Sequence, residues 1–187
     1  MEIKEIIDKE NLIGVVSNYQ SNINMSGRVI DLNIRNIEKA LVMVGLNESF
    51  IEKELNTLSL SELWKVELAT KLDKEYIIVG NLSKNLIYKD IDYMKKLLIK
   101  LSSNYNKKIV VIDEDINVFL NFINNIYVMK NKKIVYNTNN FFDSKLYEFT
   151  KMPKIIEFIK YVNKDKKLLD ENTEVYELIK DIYRRVS

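Results

Sequence analysis

The residues best placed for chemistry in this chain are three consecutive acids, Asp113, Glu114 and Asp115, that follow the apolar run IVVI at 109–112. Carboxylates at the C-terminal end of a strand stand where α/β folds gather ligands, and clustered oxygens suit a divalent cation. The same acids suit a plainer role, capping the next helix and facing its positive end. Capping is the expectation, and no metal ligand is assigned. The remaining chemistry is narrow. The chain has no histidine and no cysteine. Ser–His and Cys–His nucleophiles are therefore excluded, as are zinc sites of the usual kind. Proton transfer is left to carboxylates, Lys, Tyr or a bound metal.

The elements that must position such groups can be read from periodicity. The runs LIGVV at 12–16, YIIV at 76–79 and IVVI at 109–112 are continuously apolar, as strands covered on both faces are. Apolar residues at Ile34, Ile37, Leu41 and Val44 mark a helix that stops at Gly45. Ile91, Met94, Leu97, Leu98 and Leu101 mark a long amphipathic helix between the second and third runs. A strand, a helix and a strand of these lengths predict a parallel pair. Ile116, Phe119, Leu120 and Ile123 predict another helix. IYVM and KIVY around Lys130, Asn131 and Lys132 predict a hairpin. Pro153, the only proline, suits the first turn of a helix through Val162, and Leu178, Ile179 and Ile182 mark a last one.

Composition bounds the class. Of 187 residues, 47% are hydrophobic and 30% charged, which suits a packed domain rather than a disordered chain. The net charge of +2 does not suit a dedicated nucleic-acid binder. The lysines at 164, 166 and 167 with Arg184 and Arg185 suit a solvated face. No apolar run reaches the roughly 18 residues that span a bilayer. The opening MEIKEIIDKE lacks a signal-peptide pattern. A cytoplasmic protein is expected.

The stretch LSLSELWKVELATKL at 58–72 starts a helix. Ser59 or Ser61 is its N-cap, and Glu62 suits the first turn. In order along the chain, this stretch, YIIVGNLS at 76–83 and KKIVVIDEDINVFLNFINNIYVMKNKKIVY at 107–136 resemble the ATP-binding cassette ATPases of transporters, particularly the cobalt and energy-coupling-factor type. The first is similar to the family's Leu-Ser-Gly-Gly-Gln signature and the helix after it. The second falls on the apolar strand followed by Asp-Glu-Pro-Thr. The third is similar to the strand, histidine and hairpin that follow. NLIGVVSNYQ at 11–20 falls where the family has a strand leading into its glutamine. The resemblance covers roughly residues 10–137 and implies an α/β fold. That fold is a P-loop-NTPase-like parallel sheet with flanking helices, here lacking the P-loop strand, with a C-terminal helical segment. It divides the chain into a degenerate cassette-like domain at 1–150 and a helical appendage at 151–187.

The departures fall on the positions that the family uses for nucleotide. No GxxxxGK[ST] phosphate loop is present. Gly80 stands at the metal-binding aspartate, and Asn81 at the carboxylate that activates water. Leu60 and Ser61 replace the signature glycines between Ser59 and Glu62. Glu114 stands at the histidine, where an anion repels a γ-phosphate. Asn18, with Gln20 close by, stands at the glutamine. Positioning and charge neutralisation are most of what phosphoryl transfer needs. No catalytic residue is therefore assigned and no hydrolysis is expected. No cofactor is expected either, ATP and magnesium entering only in a complex.

The resemblance implies a structural or regulatory partner in a membrane transport complex, pairing with an active cassette subunit, with itself or with a membrane subunit. Contact with the membrane is then indirect, at its inner face. Tyr19, Gln20 and Trp64 are the candidate partner-binding residues, although Trp64 also suits a partly buried helix position. The alternative is a half-site ATPase whose P-loop comes from a second chain. The missing P-loop strand is expected to leave an apolar edge on the strand at 76–79. Residues 12–16, a second copy or a partner subunit would cover it.

Overall fold

The computed structural model describes residues 6, 10–19, 26–164, 166–171 and 174–186, apart from the side chains of 85, 176, 185 and 186. Five strands form one sheet in the order β2-β3-β1-β4-β5. They are β1 (Leu12–Val16), β2 (Tyr76–Gly80), β3 (Lys108–Asp113), β4 (Ile126–Lys130) and β5 (Lys133–Thr138). The first four are mutually parallel, and β5 returns antiparallel to β4. Ile77 and Ile78 of β2 pair with Ile109 and Val110 of β3, so the predicted parallel pair is present.

The helices are α1 (Ile37–Met43), α2 (Leu60–Ala69), α3 (Leu82–Asn85), α4 (Tyr88–Asn104), α5 (Lys154–Val162) and α6 (Val175–Val186). Alternation along each strand sorts the core into two layers. Ile77, Val79, Ile109, Val111, Ile126 and Val128 face α1, α2 and α4. Ile13, Val15, Val110, Ile112 and Tyr127 bury the other face together with Ile6. Both faces of β1 and β3 are thus covered, which is why their sequences are apolar without alternation. Ile159 of α5 and Leu178 of α6 meet Leu169 in a small cluster of their own.

Two expectations need correction. Residues 116–123 do not form an α-helix: a 3-10 turn spans Ile116–Phe119 and then ends. Its side chains Phe119 and Ile123 are still buried against the sheet. The apolar spacing reports burial correctly, but four residues are one turn and not a helix. The strand at 76–79 does lie at the edge of the sheet, as expected, and the correction concerns what covers it. Residues 12–16 do enter the sheet, but between β3 and β4 rather than beside β2. The outer edge of β2 is covered by side chains of the α2 segment. Trp64 Nε1 donates to the Gly80 carbonyl at 3.3 Å, and Lys71 Nζ donates to the Ile78 carbonyl at 2.7 Å. Alternate carbonyls of an edge strand point outward, and these two therefore find partners without another strand.

The hairpin forms as read. Asn131 and Lys132 both adopt positive φ, 49° and 61°, the two-residue geometry that matches strand twist.

Candidate functional site

The C-terminal ends of β1, β2 and β3 lie side by side, and the loops leaving them are bonded together. Ser17 N donates to the Asp113 carbonyl at 3.2 Å, and Asn81 N donates to the Ile112 carbonyl at 3.2 Å. Asn81 takes a left-handed conformation, φ 54°, that starts α3. Its side-chain amide donates to the Tyr19 carbonyl at 2.8 Å, and its buried Oδ1 has no partner among the described residues. Gly80 and Asn81, two of the positions that the resemblance assigns to nucleotide, are thus brought against Tyr19, with the exposed Asn18 beside it.

Tyr19 closes this junction. Its ring lies directly over the Cα of Gly80. A Cβ at position 80 would stand 2.6 Å from Tyr19 Cγ and 2.8 Å from its Cβ, and would also strike the Ile112 carbonyl. Real Cβ atoms do not approach so closely, so only glycine fits. The half-buried hydroxyl of Tyr19 donates to Glu67 Oε1 at 3.0 Å and accepts from Lys71 Nζ at 3.0 Å. Lys71 also donates to Glu67 at 2.6 Å, an i,i+4 pair. Burial pushes the Tyr19 pKa up, against the Lys71 ammonium that draws it down.

Of the three acids at the end of β3, Asp113 and Asp115 serve the backbone. Asp113 is fully buried and accepts from Ser83 N and Asp115 N, each at 3.0 Å, and from the Ser83 hydroxyl. Asp115 accepts from Asn117 N at 2.9 Å and caps the 3-10 turn. Glu114 is exposed and ion-paired with Lys84. Among the described residues no group of three or more acids is arranged to hold a metal ion. Capping is the reading that the geometry favours.

The signature positions lie apart from this junction, at the other end of α2. Ser59 is the N-cap, and Ser61 lies within the helix. Glu62 Oε2 accepts from Ser59 N and from Ser59 Oγ, each at 2.8 Å, while Ser59 Oγ accepts from Glu62 N at 3.3 Å. This reciprocal pair fills the orphan donors of the first turn. The Ser59 amide, and after it the Ser59 hydroxyl, hold the Glu62 pKa below the usual carboxylate range. The carboxylate of Glu62 is therefore already seated at this helix end. Leu60 is 55% exposed there.

Of the candidate partner-binding residues, Trp64 is only 4% exposed and presents no face to a partner. Its helix position is the reading that holds. Tyr19 is half-buried in the junction, and Gln20 lies outside the described residues. Sequence reasoning missed Glu67, Lys71 and Ser83. The Glu67–Lys71 spacing was the available signal. Nothing local ties Ser83 to Asp113.

No family model and no curated protein matches the sequence. Solved structures do resemble the fold. CbiO1 from Clostridium perfringens, part of the ABC transporter complex CbiONQ, is 20% identical with a TM-score of 0.56 over 88% of this chain and 68% of its own. A dimeric structure of MJ0796, a bacterial ABC transporter cassette, is 22% identical with a TM-score of 0.53 over 74% of this chain and 68% of its own. MJ1267, an ATP-binding cassette of an ABC transporter in its ADP conformation, is 13% identical with a TM-score of 0.53, over 85% and 70%. The fold is that of the ATP-binding cassettes.

Proposed function

We propose that this chain is a cassette-like subunit that does not hydrolyse ATP and serves a membrane transport complex as a structural or regulatory partner. The observation that carries the reading is the Tyr19 ring seated on Gly80. That position corresponds to the family's metal-binding aspartate, and the space a side chain would need is filled by the chain itself. Three further features support it. Asn81, at the position of the water-activating carboxylate, is an amide bonded to the Tyr19 backbone. An amide has no proton-accepting capacity at neutral pH. Glu62 places a carboxylate at the helix end that corresponds to the signature. No phosphate loop appears in the sequence.

A partner role follows from keeping the scaffold while losing the phosphate-binding groups. The CbiO1 structure belongs to a multi-subunit transporter complex, and MJ0796 forms a dimer. By extension, this chain is expected to bind another cassette subunit, a second copy of itself or a transporter membrane subunit, with its place at the inner face of the membrane set by that partner. No helix among the described residues is long and apolar enough to cross a membrane.

Titration of the purified chain with labelled ATP and magnesium tests the catalytic half of the reading. The expected result is no saturable binding at millimolar nucleotide and no phosphate release. Tight binding or turnover by the lone chain overturns it. Affinity purification from the native cell tests the partner half. Recovery of an intact cassette subunit or a transporter membrane subunit is expected. ATP hydrolysis that appears only in that pair, and is lost when Ser59 and Ser61 are both replaced, would favour the half-site alternative.

A further inference from the structure

A cleft of about 1020 Å³ opens between α4, residues 114–121, residues 150–155 and the start of α6. Its apolar lining includes Ile99, Leu120, Met152 and Ile155. Lys95, partly buried, is the most enclosed cation in it. One of its three N–H groups donates to the Leu120 carbonyl at 3.2 Å, and its ammonium lies 6.0 Å from the centre of the Phe122 ring. No carboxylate stands within ion-pair distance of Lys95 among the described residues. Asp92, one turn away and exposed, acts on it only at longer range. Lys96 and Lys151, also in the cleft, likewise have no ion pair among the described residues.

The acids of the same cleft are differently placed. Glu114 is paired with Lys84, and Asp115 is committed to its cap. The other two acids that line it, Asp92 and Glu174, are exposed, so the enclosed charge without a carboxylate partner among the described residues is the Lys95 ammonium, and it lies beside apolar walls. A partly desolvated ammonium with spare donors gains most from an anion, because charge-assisted hydrogen bonds strengthen as water is excluded. Burial also pulls the Lys95 pKa down, which an arriving anion would reverse.

We propose that this cleft binds a small organic anion, a carboxylate or phosphate carried on an apolar body, with Lys95 as its principal contact and Lys96 and Lys151 as supporting charges. The ligand would touch α4 and the approaches to α5 and α6 at once, and so would fasten the C-terminal helices to the sheet. The inference does not rest on the non-hydrolysing reading above.

The test is titration of the full chain, at low salt, with 1-naphthyl phosphate and separately with 1-naphthoate, followed by ligand fluorescence and calorimetry. Saturable binding of one or both is expected, and the stronger of the two identifies the head group. Lys95→Met should weaken binding on the order of tenfold, the equivalent of one charge-assisted hydrogen bond. Lys133→Met, on the β5 hairpin, should leave binding unchanged. The native chain supplies an independent readout, because bound probe should slow acetylation of Lys95, read by mass spectrometry, if Lys95→Met fails to fold. Absence of saturable binding by both probes overturns the proposal. So does unchanged affinity in folded Lys95→Met, or protection that falls on lysines outside the cleft.

Discussion

The junction of β1 with β2 and the cleft beside α4 lie at the same end of the sheet, yet the chain closes one and leaves the other open. At the junction, Tyr19 covers Gly80, Asn81 is tied to the Tyr19 carbonyl, and Lys71 joins the Tyr19 hydroxyl to Glu67. In the cleft, Lys95 has one hydrogen bond and no carboxylate partner among the described residues. Strand ends of open α/β sheets are where ligands collect, but position in the fold gives only an opportunity. Whether a strand end binds anything depends on whether its polar groups are satisfied from within the chain.

The strongest way to break this contrast is to ask the junction for a side chain. Gly80→Asp must place a Cβ and a carboxylate where the Tyr19 ring and the Ile112 carbonyl already stand. Overpacking together with a buried, unpaired charge should lower stability by about 3–5 kcal/mol, or abolish folding. Urea denaturation with circular dichroism checks it. Tyr19→Ala in the same chain should recover only part of the loss, since the clash with the Ile112 carbonyl remains. A Gly80→Asp protein as stable as the parent would mean that the junction is open, and the proposed function would lose its main support.

Lys71→Met sharpens the comparison at a smaller scale. The ammonium serves Tyr19, Glu67 and the Ile78 carbonyl together. Its side chain is 23% exposed and that of Glu67 11%, so solvent screens the pair only in part. A loss of about 2–3 kcal/mol in urea unfolding is expected. Lys95→Met removes a lysine with one protein hydrogen bond and should cost about 1 kcal/mol or less. Equal losses for the two lysines would erase the distinction between a committed cation and a spare one.

Much of the framework was legible in the sequence. The apolar runs at 12–16, 76–79 and 109–112 are strands, and the hairpin and the long helix lie where periodicity puts them. Periodicity works there because burial on a regular element imposes it. The order of the strands was not legible in the same way. Nothing in LIGVV says which neighbours it takes, and placing it between β3 and β4 rather than beside β2 is a tertiary choice. Local geometry also hid behind composition. With only four glycines in the chain, asparagine takes left-handed turns at Asn36, Asn81, Asn106, Asn121 and Asn131. Asn81 could therefore be read from the resemblance as a lost base, while its role in turning the chain into α3 could not. Tyr19 over Gly80 joins residues 61 positions apart, and no local pattern announces it. The Ser59–Glu62 pair is the opposite case. The sequence offers Ser59 or Ser61 as the N-cap with Glu62 in the first turn, and the structure selects Ser59, joined to Glu62 in a capping box.

That box supplies effects as small as the Lys95 change, because its hydrogen bonds stay within one turn of α2, away from the junction at the helix's other end. Ser59→Ala should cost about 1 kcal/mol, the usual value of a lost N-cap, and should leave Gly80 and Tyr19 undisturbed. Glu62→Gln probes the charge. In the folded chain the Glu62 pKa lies below its unfolded value, so its contribution is complete above the unfolded pKa and fades as pH falls through the folded one. The stability difference between parent and Glu62→Gln should therefore be widest near neutrality and close in acid, below the ordinary glutamate range. Urea midpoints across that range check the sign. A difference that stays constant with pH would show that the carboxylate is not held by Ser59. The N-terminus of α2 would then be free to receive an external anion, and the contrast between closed and open ends would have to be drawn again.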